Sequence, residues 1–216
     1  MKPNTVKAIE EFIERYPKMA YLREKIETAI EEITARVRRG GKILVCGNGG
    51  SAADSEHIVG ELLKEFYIKR PVPEKDREKL ESAFGKEGTY LADRLQGAIP
   101  AISLISQSAI MTAYANDAAP ELCNAQETYG YCTENDVFIG ISTSGNSANI
   151  YYAVLVAKMK GGYTVGMTGE SGGKMLSVCD LTLNVPEKET FKVQECHLPV
   201  YHLICRAVEN EIFGQN

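Results

Sequence analysis

The stretch KILVCGNGGSAADSEHIVGEL, residues 42–62, decides the fold. Residues 42–46 form a short apolar run bounded by glycines, the pattern of a strand buried on both faces. Gly47-Asn48-Gly49-Gly50-Ser51 follows, and the spacing predicts a helix from about residue 52 to 66. A strand that enters a helix through a glycine-rich turn is the opening unit of a parallel α/β sheet. Working outward, apolar runs at 101–105, 137–141, 163–167 and 181–185 supply four more strands. Helical patterns at about 107–115, 120–130, 147–160 and 193–213 alternate with them. The expectation is a doubly wound, mostly parallel five-stranded sheet flanked by helices.

Two segments stand outside this alternation. Residues 4–40 read as two amphipathic helices, with Val6, Ile9, Phe12, Ile13 and Tyr16 on one stripe and Leu22, Ile26, Ile30, Ile33 and Val37 on the next, stopped by Gly40-Gly41. Their apolar faces need a cover, either the protein's own sheet or another subunit. Residues 71–97 are rich in Lys, Glu and Arg and carry no strand pattern. They read as a charged helical insert, either a solvated surface element or a lid or subunit contact near the site. The chain therefore divides into residues 1–40, an N-terminal helical extension, and residues 41–216, one α/β domain carrying the insert.

Composition narrows the class. With 216 residues, 44% of them hydrophobic, the chain can bury one sizeable core. Its 24 basic and 29 acidic residues are dispersed, so no basic stripe calls for nucleic acid. No apolar run reaches the length of a membrane span, and the charged start MKPNTVKAIEEF lacks a signal core, which predicts a cytoplasmic protein. Six cysteines, at 46, 123, 132, 179, 196 and 205, form no CxxC pair and read as small buried hydrophobes. Only His57, His197 and His202 can do histidine chemistry.

The turn at Asn48, Gly49, Gly50 and Ser51 brings backbone N–H groups and a helix N-terminus to one place, which suits a phosphate. Its plainer reading is an N-cap at Ser51 with Asp54 in a capping box. A nicotinamide cofactor is disfavoured, because the next strand begins only near residue 100, and the Gly-Lys-Ser/Thr of a Walker loop is missing. The second turn, Ser142-Thr143-Ser144-Gly145-Asn146-Ser147, follows another buried strand and offers four hydroxyls where a cap requires one. Ser147 is placed to cap the next helix. Such turns sit at the carboxyl ends of parallel strands, where ligands bind, so the pair argues for a phosphorylated small molecule. His57 and Glu61 are four apart on one helix face, and Gln194 and His202 are eight apart on the last helix. A carboxylate and an imidazole can move protons in pairs, and the same four groups could hold Zn²⁺. His197 has no such companion and reads as structural.

Taken together, KILVCGNGGSAADSEHIVGEL, GISTSGNS and VQECHLPVYH resemble the sugar isomerase (SIS) domain, and within it the bacterial phosphoheptose isomerases. The resemblance covers nearly the whole chain. It implies an aldose–ketose isomerase acting on a phosphorylated sugar, interconverting sedoheptulose 7-phosphate and D-glycero-D-manno-heptose 7-phosphate. It further implies substrate contacts at Gly49, Gly50, Ser51, Ser142, Thr143, Ser144 and Ser147, and at Asn116 and Asp117. Glu61 and His202 match the catalytic pair. His57, Glu61, Gln194 and His202 match a zinc site, with no nucleotide cofactor. A homotetramer with sites between subunits is implied too, and would bring Glu61 near a neighbour's His202. Three features depart from that pattern: the insert 71–97, Glu65 in place of an arginine, and Thr190-Phe191-Lys192 before the closing helix. An isomerase of another sugar phosphate, or a non-catalytic SIS-domain regulator that binds one, are the alternatives. A regulator of this fold lacks the glutamate and histidine that this chain has at 61 and 202.

Overall fold

The structure is a computed structural model describing residues 1–215. Five parallel strands form one sheet in the order β2-β1-β3-β4-β5: β1 (Ile43–Gly47), β2 (Ala101–Ser103), β3 (Val137–Ile141), β4 (Tyr163–Thr168) and β5 (Leu181–Asn184). Every residue of β1 and β3 is buried, as expected of central strands covered on both faces. The strand order reverses at β1, whose neighbours are β2 and β3. The two strands end in step, Gly47 opposite Ile141, so the turns that follow them open side by side at the switch point where ligands of doubly wound sheets bind.

Nine α-helices are described. On one face of the sheet pack α1 (Pro3–Arg15), α2 (Arg23–Arg38), α3 (Gly50–Leu63) and α9 (Thr190–Phe213), around Ile9, Leu22, Ile26, Ile30, Val45, Ile139, Val200 and Val208. On the other lie α7 (Cys123–Tyr131) and α8 (Ala148–Met159), around Leu44, Phe138, Ile150 and Val154. The apolar stripes of residues 4–40 are thus covered within the chain, since Ile9, Phe12, Ile26, Ile30 and Ile33 all lie in the first core. The remaining helices are α4 (Glu74–Phe84), α5 (Lys86–Arg94) and α6 (Ser108–Asp117).

The charged insert is helical, as a pair of helices. Gly85, with φ +55°, breaks α4 from α5. Leu80 carbonyl lies 1.9 Å from where a Cβ at Gly88 would stand, so the helices touch there by backbone alone. A bridge between Pro71 and Gln96 closes the base, and Arg77 pairs with Glu81 and Asp93. No residue of α4 is buried. All six cysteines are free, four of them buried. Among the described residues no helix is long and apolar enough to cross a membrane.

Candidate active site

Two turns build the anion end of the site. Helix α3 begins at Gly50, with Gly49 as N-cap at φ +57° and no side-chain cap bond. Ser51 is therefore not the N-cap the sequence suggested. It lies one residue inside the helix, and its hydroxyl is not committed to closing the turn. Gly47 has no room for a side chain, because a Cβ there would sit 2.4 Å from the Ser51 carbonyl oxygen. Ser147 does occupy the N-cap of α8, yet its hydroxyl bonds the Ser142 hydroxyl at 3.0 Å instead of the helix. Asn48, Gly49, Gly50, Ser51, Ser142, Thr143, Ser147, Thr190 and Gln194 line a crevice of about 330 Å³. Two helix N-termini and five hydroxyl-bearing side chains border this one space, an arrangement able to hold a dianion.

The crevice is braced from behind. Asn149 on α8 exchanges two hydrogen bonds with Asn48, at 2.8 and 2.9 Å, and donates to Asn124 on α7 at 2.8 Å. Asn124 in turn donates to the Leu104 carbonyl, past the end of β2. Ser144 is exposed and receives the Asn146 N–H, while Asn116 and Asp117, at the exposed end of α6, bond each other. These three expected contacts lie outside the crevice of their own chain.

From the crevice a polar seam runs between α3 and α9. Gly50 stands at its start against the Gln194 amide, whose nitrogen is 2.5 Å from where a Cβ at Gly50 would be. One stripe of α3 then presents Asp54, His57 and Glu61 in succession. From α9, the Tyr201 hydroxyl lies 3.3 Å from Asp54 Oδ1 and 3.0 Å from His57 Nδ1. His57 Nε2 is 3.2 Å from Glu61 Oε1, and Lys64 Nζ donates to Glu61 Oε2 at 3.0 Å. The His202 ring stands edge-on to His57, centroids 5.0 Å apart, so the chain's own His202 reaches the Glu61 end without a neighbour. His202 Nε2 is buried with no partner. Burial, then the charge of His57, lower the His202 pKa, with Glu61 partly offsetting them, which keeps the ring neutral at pH 7. Burial raises the Asp54 carboxyl, against the Tyr201 hydrogen bond.

The C-terminus of α3 is locked by a buried pair. Arg70 Nε bonds Glu209 Oε1 at 2.6 Å, with both side chains fully buried. The same guanidinium donates to the carbonyls of Glu61 and Leu62, which the helix end leaves unpartnered. Glu209 also accepts the N–H groups of Phe66, Tyr67 and Ile68. His197, as expected, is structural: it is buried, and its Nε2 meets the Thr168 carbonyl.

The zinc set does not close as folded. His57, Glu61 and His202 share one end of the seam, while Gln194 lies over Gly50, about 12 Å back along α9. Among the described residues no group of three or more His, Cys, Asp or Glu side chains is disposed to hold a metal ion.

Family models described as SIS domain match residues 7–76 and 114–203. A phosphoheptose isomerase from Aneurinibacillus thermoaerophilus is 38% identical over 88% of this chain and 85% of its own length. One from Burkholderia pseudomallei is 40% identical over 84% of this chain and 79% of its own. The phosphoheptose isomerase structure from Neisseria gonorrhoeae superposes with a TM-score of 0.71 at 28% identity, over 96% of this chain and 94% of that one. The chain belongs to the SIS-domain phosphoheptose isomerase family. Within this phosphoheptose isomerase framework the departures fall at the rims. Glu65 uses its backbone N–H to bond Gln96 of the insert, and Phe191 is exposed with Lys192 over its ring.

Sequence reasoning missed Tyr201 and read Asp54 only as a cap. Asp54 had a signal, because it shares the stripe of Gly50, His57 and Glu61. Tyr201 had none, since its contacts span more than 140 residues of chain.

Proposed function

We propose that this chain is an aldose–ketose isomerase that converts sedoheptulose 7-phosphate to D-glycero-D-manno-heptose 7-phosphate. The observation that carries the reading is the continuity of the seam. An anion crevice at one end runs, through Asp54, Tyr201 and His57, to a carboxylate and a neutral imidazole at the other. The named relatives support the substrate class.

The chemistry moves one proton between adjacent carbons. With the phosphate held by Ser51, Ser142, Thr143 and Ser147, the carbonyl end reaches toward Glu61. Glu61 removes the carbon-bound proton and an enediolate forms, then the same carboxyl returns the proton to the neighbouring carbon. His202, neutral and with a free Nε2, exchanges the hydroxyl proton between the two oxygens. Holding the phosphate fixes the reacting carbons against Glu61, a positioning effect worth several kcal/mol. Zinc dependence is read by the same assay: turnover lost to a chelator and restored by zinc alone shows that the metal is needed.

The oligomeric part of the reading is a homotetramer. It is supported by α6, which buries none of its residues although it carries Ile110, Met111 and Tyr114. That helix presents Asn116 and Asp117 away from its own crevice, where a second copy would use them. Light scattering on the purified chain tests it, and a monomer at assay concentration refutes it.

The deciding experiment is a coupled assay on sedoheptulose 7-phosphate with wild type and Glu61→Gln. The variant is expected to lose at least about a hundredfold in kcat while still binding the sugar phosphate. Turnover at the wild-type rate removes Glu61 from the mechanism. Binding without conversion by the wild type favours a regulator.

A further inference from the structure

We propose that Arg70 is a positioning residue for the reaction, holding the backbone turn that aims the Glu61 carboxylate. The inference rests on Glu61 being the base. Glu61 stands in the last turn of α3, which ends at Leu63, and Lys64 is already extended at φ −130° and ψ 170°. The carbonyls of such a turn have no partner within the helix, so it is the part of α3 most prone to fray. The N–H groups that would continue the helix are turned elsewhere. Glu65 N–H, the helical donor to the Glu61 carbonyl, goes to Gln96 Oε1 at 2.8 Å. Phe66 N–H, the helical donor to the Leu62 carbonyl, goes to Glu209 Oε1 at 2.9 Å.

Arg70 supplies both diverted donors. Its Nη2 bonds the Glu61 carbonyl at 3.1 Å and its Nη1 the Leu62 carbonyl at 2.7 Å. The fork is itself fixed on two sides. Nε bonds Glu209 Oε1 at 2.6 Å with both side chains fully buried, and the Arg70 carbonyl accepts the N–H of Gly97 at 2.7 Å, at the base of the insert. A planar guanidinium can reach two successive carbonyls and a carboxylate at once, which an ammonium cannot do with the same geometry. The Glu61 carboxylate has looser anchors of its own. His57 beside it is half exposed, and Lys64, which donates to it, is largely exposed and lies past the helix end. The place of the carboxylate is therefore set by the turn beneath it, and a small displacement of a base from its carbon is costly.

Arg70→Lys tests this, since it keeps a positive charge beside Glu209 and removes the fork. The expected result, on sedoheptulose 7-phosphate, is a kcat per folded molecule lower by about tenfold to a hundredfold. KM should be unchanged, because the phosphate is held at the other end of α3. The double variant Arg70→Met, Glu209→Gln removes the same donors without stranding a buried charge, and keeps an acceptor for the N–H groups of Phe66, Tyr67 and Ile68. It should show the same split between kcat and KM, and it decides alone if Arg70→Lys does not fold. Circular dichroism gives the folded fraction. A merely structural role predicts fewer folded molecules, each with the kcat and KM of the wild type. That result, or a raised KM with kcat intact, would overturn the proposal. Glu61→Gln is run in parallel. If it keeps activity, the reading of the base fails and the role of Arg70 with it. If it is inactive while the Arg70 variants turn over normally, only the role of Arg70 fails.

Discussion

Gly145 shows how closely the anion turn is built. Its φ is +66°, and a Cβ would stand 2.0 Å from the Gly172 carbonyl oxygen. The left-handed backbone and the contact both forbid a side chain. Gly145→Ala is expected to cost about 2 kcal/mol or more and to weaken phosphate binding, read by thermal melts with and without inorganic phosphate. Much of this end was legible in the sequence, because a glycine-rich or hydroxyl-rich turn acts through backbone chemistry local to its own few residues. The Glu61 end of the seam was legible only as separate pairs. His57 and Glu61 declare themselves by helical spacing, but their meeting with Tyr201 and His202 depends on how α3 lies against α9, which no local pattern encodes. The alternative of a cap at Ser51 fails because Gly49 and Gly50 let the helix start before the serine.

At the scale of elements, the strands were the most readable, since buried parallel strands are unbroken apolar runs. Residues 137–141 match β3 at both ends. β2 is shorter than its apolar run, ending at Ser103. The helical insert at 71–97 consists of two helices, divided at a glycine visible in the sequence. What no sequence pattern revealed is the Arg70–Glu209 lock, formed across 139 positions. Arg70→Met should destabilise by about 3–5 kcal/mol, because it strands a buried carboxylate. Adding Glu209→Gln should recover part of that by removing the charge while keeping an acceptor for the N–H groups of Phe66, Tyr67 and Ile68. Adding Glu209→Leu instead should not, as it leaves those three donors unpartnered. Urea unfolding of the three variants checks the order.

For the molecule as a whole, two buried groups pull stability in opposite directions with pH. Burial pushes the His197 imidazole down to about 4 from an ordinary 6.5. The unfolded chain takes up that proton first, so the contribution is complete above 6.5 and is lost as pH falls toward 4. Burial pushes the Glu127 carboxyl up to about 7 from 4.5, with neither oxygen hydrogen-bonded. The folded state holds that proton longer, so stability is complete below 4.5 and erodes as pH rises toward 7. Each effect is on the order of 3 kcal/mol at full extent. Thermal melts of Glu127→Gln should show a gain over wild type at pH 8 and little difference at pH 4, and a gain equal at both would contradict the assignment. The N-terminal stripes belong to this scale as well. Their periodicity announced a buried face, but only the assembled sheet and α9 reveal that the chain covers it itself.

On the proposed mechanism, the spacing between the Ser51 end of α3 and Glu61, ten residues or about 15 Å of helix, would act as a ruler for the ligand. A molecule is measured from its phosphate, and only one with enough carbons brings its carbonyl up to the far mark. Short sugar phosphates and free phosphate then occupy the near end and compete, yet come away chemically unchanged.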